Sequence, residues 1–188
     1  MNKGIIIAFV ILGVIIVGIV SGGVAIYNRL VMLKYNVDKN FANIDVILKQ
    51  RVDEIPNLIA VVKKTQGYEE SLLNQLTELR TAFLSSRSTD EKVQLANEVG
   101  KLLNSFFAVS ENYPELKAVE SFRTLQLRVS DLEDMLSDRR ELYNESVNMY
   151  NIGIHEMPAL LFARPMGYTD KPLLHISEEE KKYDGIRF

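Results

Sequence analysis

The residues able to carry out chemistry are few in this chain of 188 residues, and their spacing does not suit a reaction. The absence of cysteine excludes thiol nucleophiles, disulfides and iron–sulfur clusters. Neither of the two histidines, His155 and His175, has a carboxylate three residues before it, so the Glu-x-x-His pairs of di-metal helical proteins are missing. A zinc site would need at least three well-spaced ligands. We therefore predict no catalytic residue, no metal ligand and no cofactor.

Two pairs of adjacent acids, Glu69-Glu70 and Glu133-Asp134, are the remaining candidates for acid–base chemistry. Neighbouring positions on a helix point about 100° apart, so such pairs suit a solvated face better than a shared site. No G-x-S-x-G, Walker-type or dinucleotide-binding motif occurs. A net charge of −3 and a pI near 5.5 argue against nucleic acid as a partner. The sequence predicts a protein that is not an enzyme, with an enzyme as the remote alternative.

An uncharged segment of 24 residues runs from Gly4 to Tyr27. As a helix it would be about 36 Å long, enough to cross a hydrocarbon core of about 30 Å. Lys3 on one side and Arg29 on the other give it ordinary interfacial boundaries. A cleaved signal peptide, the alternative, would have an apolar region of about 7–15 residues and a small-residue cleavage site. We predict an uncleaved single-pass helix in the cell membrane.

Two glycines in this span, Gly18 and Gly22, have the G-x-x-x-G spacing that lets membrane helices approach closely. They are candidate packing residues for a homo-oligomer, although glycine is also common in membrane helices without such a role.

Basic residues are more frequent just after the span than before it, which favours a cytoplasmic location for the carboxyl-side region. Five bases against two acids between Arg29 and Arg51 would also attract anionic headgroups, unless they only form the polar faces of packed helices.

Apolar residues at steps of three or four follow the span without an intervening glycine, and they predict that the membrane helix continues into the soluble region. The stripe consists of Leu30, Leu33, Val37, Phe41, Ile44, Leu48, Val52, Ile55, Ile59 and Val62. Pro56 interrupts it, and we expect a kink at Ile55–Pro56–Asn57, with a true turn as the alternative.

Three further helices are predicted by the same spacing. They cover residues 69–86 after a break at Gly67, a segment capped by Thr89 or Asp90 that ends near Tyr113, and a last helix from about Leu116 to Ile154. No alternation typical of strands occurs across residues 28–155. The fold class is all-α, and four helical segments with short connections favour an antiparallel, up-and-down four-helix bundle with a long first helix.

The domain organisation follows from these segments: a flank at 1–3, the transmembrane helix at 4–27, the bundle at 28–155 and a C-terminal extension at 156–188. Prolines and a charge run predict that the extension is an extended tail with a disordered end. We expect it to pack partly through Met157, Leu160, Leu161, Phe162 and Tyr168. The alternative is a recognition peptide that ends in Ile186-Arg187-Phe188.

Several short blocks resemble, in order, those of the LemA family over about residues 27–170. They are Asn43-Ile44-Asp45-Val46, Ile55-Pro56-Asn57-Leu58, Glu111-Asn112-Tyr113-Pro114-Glu115-Leu116-Lys117-Ala118, Phe122 with Leu125-Gln126, and Arg139-Arg140-x-x-Tyr143-Asn144-x-x-Val147-x-x-Tyr150-Asn151. The resemblance implies a membrane anchor and an antiparallel four-helix bundle, but no reaction, because the family has no agreed enzymatic activity. Relatives are implicated in bacterial membrane organisation, including magnetosome assembly, and in envelope stress or antigenic-peptide presentation.

The polar residues of these blocks are the candidate structural or interaction residues. They satisfy one another inside the bundle and at its turns, or they form a surface that binds a partner. They are Asn43, Asp45, Pro56, Asn57, Tyr113, Pro114, Lys117, Arg140, Tyr143, Asn144, Tyr150 and Asn151.

These observations predict a membrane-anchored helical protein that acts by protein–protein contact, as a scaffold or adaptor for a bacterial membrane protein complex. Its partners would be the lipid bilayer and one or more unidentified membrane proteins. The alternative from a different class is a self-assembling protein that organises or remodels the membrane.

Overall fold

The computed structural model describes residues 3–63, 70–87 and 89–174, and these residues form helices and connections without a strand. The prediction of an all-α protein is confirmed. Gly67 lies outside the described residues. The helices are α1 (Lys3–Asp53), α2 (Ile55–Val62), α3 (Glu70–Ser85), α4 (Thr89–Ser110), α5 (Pro114–Lys117), α6 (Glu120–His155) and α7 (Leu160–Ala163).

Helix α1 is 51 residues long and joins the apolar segment to the region after it without a break, as predicted. Its amino-terminal part is long and apolar enough to cross a membrane, and none of its most apolar window is buried inside the protein. The chain leaves α1 at a single residue, Glu54, which keeps helical backbone angles of φ −77° and ψ −17°. Helix α2 then begins with Pro56 in its first turn, where the missing N–H of proline costs no hydrogen bond. The helical backbone angles of Glu54 fit the predicted kink better than a true turn. The interruption lies one residue before the predicted position, which began at Ile55.

The apolar stripe of α1 and α2 is buried as its spacing predicts. Seven of its ten residues are buried and the other three are half-buried. The chain divides into two compact units, here called the terminal unit (residues 1–41 and 140–188) and the central unit (residues 42–139). Within the central unit, α3 packs against α4 and α2.

The end of α4 and the start of α6 differ from the prediction. Helix α4 ends at Ser110 rather than near Tyr113, because Glu111, Asn112 and Tyr113 each donate a backbone hydrogen bond to the residue three positions earlier. Pro114 then starts the short helix α5. After α5 the Val119 N–H donates to the Leu116 carbonyl oxygen, again three residues earlier. The last long helix consequently begins at Glu120, four residues after the predicted start at Leu116.

The C-terminal extension contains the short helix α7, and it packs only partly as predicted. Leu160, Phe162 and Tyr168 are half-buried, but Met157 and Leu161 are exposed, so the expectation that these two pack on the protein is wrong. Met157 precedes α7 and Leu161 lies within it, whereas Ala159 just before the helix and Ala163 at its end are buried. His175, the charge run and Ile186–Phe188 lie outside the described residues.

Candidate interaction surface

Two asparagines of α6 in the terminal unit, Asn144 and Asn151, lie seven residues apart. Seven residues make almost two helical turns, so both side chains lie on one face, about 10 Å apart along the axis. We call this pair the asparagine clamp. Residues 168–174, which follow α7, are called the strap.

Each asparagine of the clamp holds the main chain of the strap by two hydrogen bonds. Asn144 Nδ2 donates to the carbonyl oxygen of Leu174 and its Oδ1 accepts from the Leu174 N–H, both at 2.8 Å. Asn151 makes the same two bonds with Lys171, both at 2.9 Å. Three residues of extended chain cover about 10 Å, which matches the spacing of the clamp. The strap therefore lies antiparallel to α6, and the clamp holds it through its backbone.

Side chains around the clamp add charged and aromatic contacts. Lys171 Nζ lies 2.7 Å from Asp38 Oδ1 of α1 and 5.8 Å from the ring centroid of Tyr150. The rings of Tyr150 and Tyr168 are 5.9 Å apart, and Lys34 Nζ lies 5.4 Å from the Tyr168 centroid. Since Lys171 carries both a clamp bond and an ion pair, it joins the strap to α1 as well as to α6.

An exposed contact between His155 and Asp170 lies beside the clamp at the end of α6. His155 Nε2 lies 3.0 Å from Asp170 Oδ1. His155, for which the sequence predicted no metal-binding role, therefore contacts the strap.

Burial raises the pKa of the Tyr150 phenol above its usual range, and the neighbouring Tyr168 and Asp38 add to the effect. Burial likewise raises the pKa of Tyr168. Both groups disfavour the phenolate because a second negative charge would lie beside Asp38 in a poorly solvated place. Both rings are thus neutral at physiological pH.

Arg140 and Tyr143, also on α6, are buried in the terminal unit. The Tyr143 ring packs edge-to-face on Phe41 with a centroid distance of 5.7 Å. These two predicted site residues thus belong to the packed interior, whereas Tyr150 and the clamp form the layer that contacts the strap.

The central unit contains a buried guanidinium, that of Arg51, which the sequence analysis counted among the exposed bases after the span. Arg51 is only 2% exposed, forms an ion pair with Glu133 of α6, and donates from Nη1 to the Ala96 carbonyl of α4 at 3.4 Å. Its Cζ and Nη1 would lie 2.8 Å from a Cβ built on Gly100. For Arg51 both alternatives, attraction of headgroups and a place on a polar helix face, are therefore wrong. Its spacing from Leu48 and Ile55, three and four residues away, is the signal that could have found it.

A second buried charge lies one turn further, on Glu54. Its carboxylate pairs with Arg128 Nε at 2.7 Å and accepts a hydrogen bond from Asn57 Nδ2 at 2.9 Å. The predicted residue Asn57 therefore has a structural role, as one partner of a buried carboxylate. Asp45 lies 3.4 Å from Lys92 of α4 in a partly exposed ion pair.

The other predicted site residues are separate from the clamp. Asn43 is half-buried on α1, Pro56 is exposed at the start of α2, and Tyr113, Pro114 and Lys117 lie at or within α5. Gly18 and Gly22 lie on α1 with no atom within 4 Å of a Cβ built on either. Their predicted role in helix packing stays a prediction.

The described residues offer little that would hold a small ligand or an ion. A groove of 480 Å³ between α3 and α4 is lined by mixed charged, amide and aliphatic side chains. No group of three or more histidine or acidic residues within the described ranges is placed to bind a metal. The clamp is a polar arrangement of a different kind, since it holds the extended main chain of the strap.

The fold and this surface define a class, an all-helical protein with a long apolar helix and a helical face that holds an extended peptide segment. Residues 40–188 match the LemA family, and the chain belongs to this family. It is similar to magnetosome protein MamQ 2 of Paramagnetospirillum magneticum, with 23% identity over 158 residues that cover 70% of this chain and 58% of that protein. Magnetosome protein MamQ of Magnetospirillum gryphiswaldense is 20% identical over 175 residues, which cover 79% and 64%. The chain thus matches about three fifths of the length of these curated relatives.

Proposed function

We propose that this protein is a membrane-anchored helical adaptor that acts by binding other proteins and catalyses no reaction. The clamp is the observation that carries the proposal. Asn144 and Asn151 each donate one hydrogen bond to, and accept one from, the main chain of the strap, and such bonds hold an extended segment without contacting its side chains. A helical face built in this way suits a protein that assembles others, and the apolar helix would confine it to the membrane.

Crosslinking in intact cells, followed by mild-detergent pulldown of the full-length protein, tests this function. The informative variant is Asn144→Ala with Asn151→Ala, and Asn148→Ala is its matched control because Asn148 is an exposed residue of the same type on the same helix. We expect a few partners in fixed ratio with the wild type and with the control, and their loss or depletion with the double variant. Recovery of no partner and no self-crosslinked product would contradict the proposal.

Self-assembly at the membrane is the second candidate function. The G-x-x-x-G spacing of Gly18 and Gly22 favours it, because small residues at this spacing let a second span approach closely. The magnetosome relatives add an association with a membrane-bounded structure. A ladder of self-crosslinked species without a foreign partner, lost when Gly22 is replaced by isoleucine, would support this candidate over the adaptor.

The carboxyl-side region is proposed to face the cytoplasm, because Arg29, Lys34 and Lys39 outnumber the basic residues before the span. The chain contains no cysteine, so a single Asn148→Cys substitution gives an unambiguous reporter. A membrane-impermeant maleimide should label this cysteine only after the cells are permeabilised. Labelling of intact cells would reverse the assignment.

The proposed architecture of the soluble region is an up-and-down four-helix bundle. Contacts of Arg51 on α1 with α4 and α6, and the packing of α3 on α4, support it within the central unit. Spin labels on pairs of cysteines in these helices would give the distances that test it.

A further inference from the structure

The short helix α7 lies beside the end of the apolar part of α1. The ring of Phe162 approaches Gly23 so closely that a Cβ built on this glycine would lie 3.4 Å from Phe162 Cζ. Gly23 belongs to the uncharged segment and comes four residues before its end at Tyr27, about 6 Å along the helix. Phe162 therefore lies at the level of the last turn of that segment, where the small glycine leaves room for the ring.

An ion pair with Arg29 places Glu156, just before α7, at the level of the first residues after the span. Arg29 Nη2 lies 3.0 Å from Glu156 Oε2, and both side chains are partly exposed. Arg29 is the first charged residue after the uncharged segment. Residues 156–162 thus extend from the level of this charge to the level of Gly23, a depth of about 9 Å along α1.

Two large apolar side chains of this region point away from the protein. Met157 is 69% exposed and Leu161 is 64% exposed. Interfacial membrane segments bury their apolar face about 5–10 Å into the boundary between headgroups and acyl chains, which is the depth that the contacts with Arg29 and Gly23 define. Arg164, exposed directly after α7, supplies the positive charge that anionic headgroups attract.

We propose that residues 157–163 form a second membrane contact of this protein, in which Met157 and Leu161 enter the interfacial layer of the bilayer beside the span. The ligand of this surface is lipid, through the upper part of its acyl chains. The inference depends on the proposed membrane anchoring by α1, and it adds that the end of the chain's last long helix is tied to the bilayer as well.

Tryptophan fluorescence of the full chain tests the contact, because the chain has no tryptophan of its own and each substitution adds a single reporter. The protein is reconstituted in two sets of vesicles of phosphatidylcholine and phosphatidylglycerol. In one set the acyl chains are brominated close to the headgroup, and in the other they are brominated near their ends. Leu161→Trp is the informative variant, and Met157→Trp repeats the test at a second position. Tyr35→Trp is the matched control, since Tyr35 is 70% exposed but lies about 18 Å beyond Gly23 along α1. Val14→Trp, in the middle of the apolar segment and 67% exposed, reports anchoring.

We expect a blue-shifted emission for Leu161→Trp and Met157→Trp, with strong quenching by the bromines close to the headgroup. Val14→Trp should be quenched by the bromines near the chain ends, and Tyr35→Trp should be almost unquenched in both sets of vesicles. Quenching of Val14→Trp alone, with Leu161→Trp and Met157→Trp as unquenched as Tyr35→Trp, would overturn the inference and leave the anchoring intact. Absence of quenching from Val14→Trp would overturn the anchoring itself and the inference with it.

Discussion

Replacing Asn151 with alanine removes both hydrogen bonds that hold Lys171 of the strap, and replacing Asn144 does the same for Leu174. A hydrogen bond of this kind contributes about 0.5–1.5 kcal/mol net, so each substitution should cost the strap about 1–3 kcal/mol. At about 1.4 kcal/mol per factor of ten, local opening should become about 5 to 150 times more frequent.

Amide hydrogen exchange of the full chain measures this opening directly, because the N–H groups of Lys171 and Leu174 donate to the asparagine oxygens. We expect faster exchange at Lys171 in Asn151→Ala and at Leu174 in Asn144→Ala. The Asn148→Ala variant controls for the loss of an amide on the same helix and should exchange like the wild type. If both strap amides kept their wild-type rates in the clamp variants, the clamp would not hold the strap and the argument for a peptide-binding face would be refuted.

Two further predictions concern the buried guanidinium and the buried phenol. Gly100→Ala should destabilise the protein by about 1–3 kcal/mol although alanine favours helix, because the new Cβ meets the Arg51 guanidinium, which is buried and paired with Glu133 and so has little room to move. Urea denaturation in detergent measures this loss of stability, which should be smaller when Arg51→Met is the background. Because the pKa of Tyr150 is raised in the folded state, the stability that its neutral phenol contributes is fully present below about pH 10 and is lost as the pH rises through the raised pKa. The free energy of unfolding should therefore fall less steeply above pH 10 in Tyr150→Phe than in the wild type, and equal slopes would contradict the assignment.

The helices were predictable because a helix with one buried face has apolar residues at every third or fourth position of the sequence. The stripe from Leu30 to Val62 shows this period, and the structure buries it. The start of the last helix was not predictable in the same way. A helix boundary depends on a few local hydrogen bonds, such as that from Val119 to Leu116, which change no hydrophobic pattern.

The clamp was only half predictable from the sequence. Asn144 and Asn151 were identified as structural or interaction residues, but their partners were not, because hydrogen bonds to main-chain groups place no requirement on the partner's side chains. Nothing in the types of Lys171 and Leu174 marks them as partners. Arg51 was mispredicted for a different reason. Its charge indicated an exposed position, but its spacing of three residues from Leu48 places it on the buried face of the helix.

The glycines of the span show how the membrane contact of α7 and self-association can coexist on one helix. Position 23 lies about 100° around the helix from position 22 and about 140° from position 18. The side that receives Phe162 is therefore different from the side on which Gly18 and Gly22 stay open. A second copy packing through those two glycines would not displace α7. Replacing Gly22 should thus reduce self-crosslinking and leave the fluorescence of Leu161→Trp unchanged, whereas replacing Gly23 with leucine should disturb that fluorescence first.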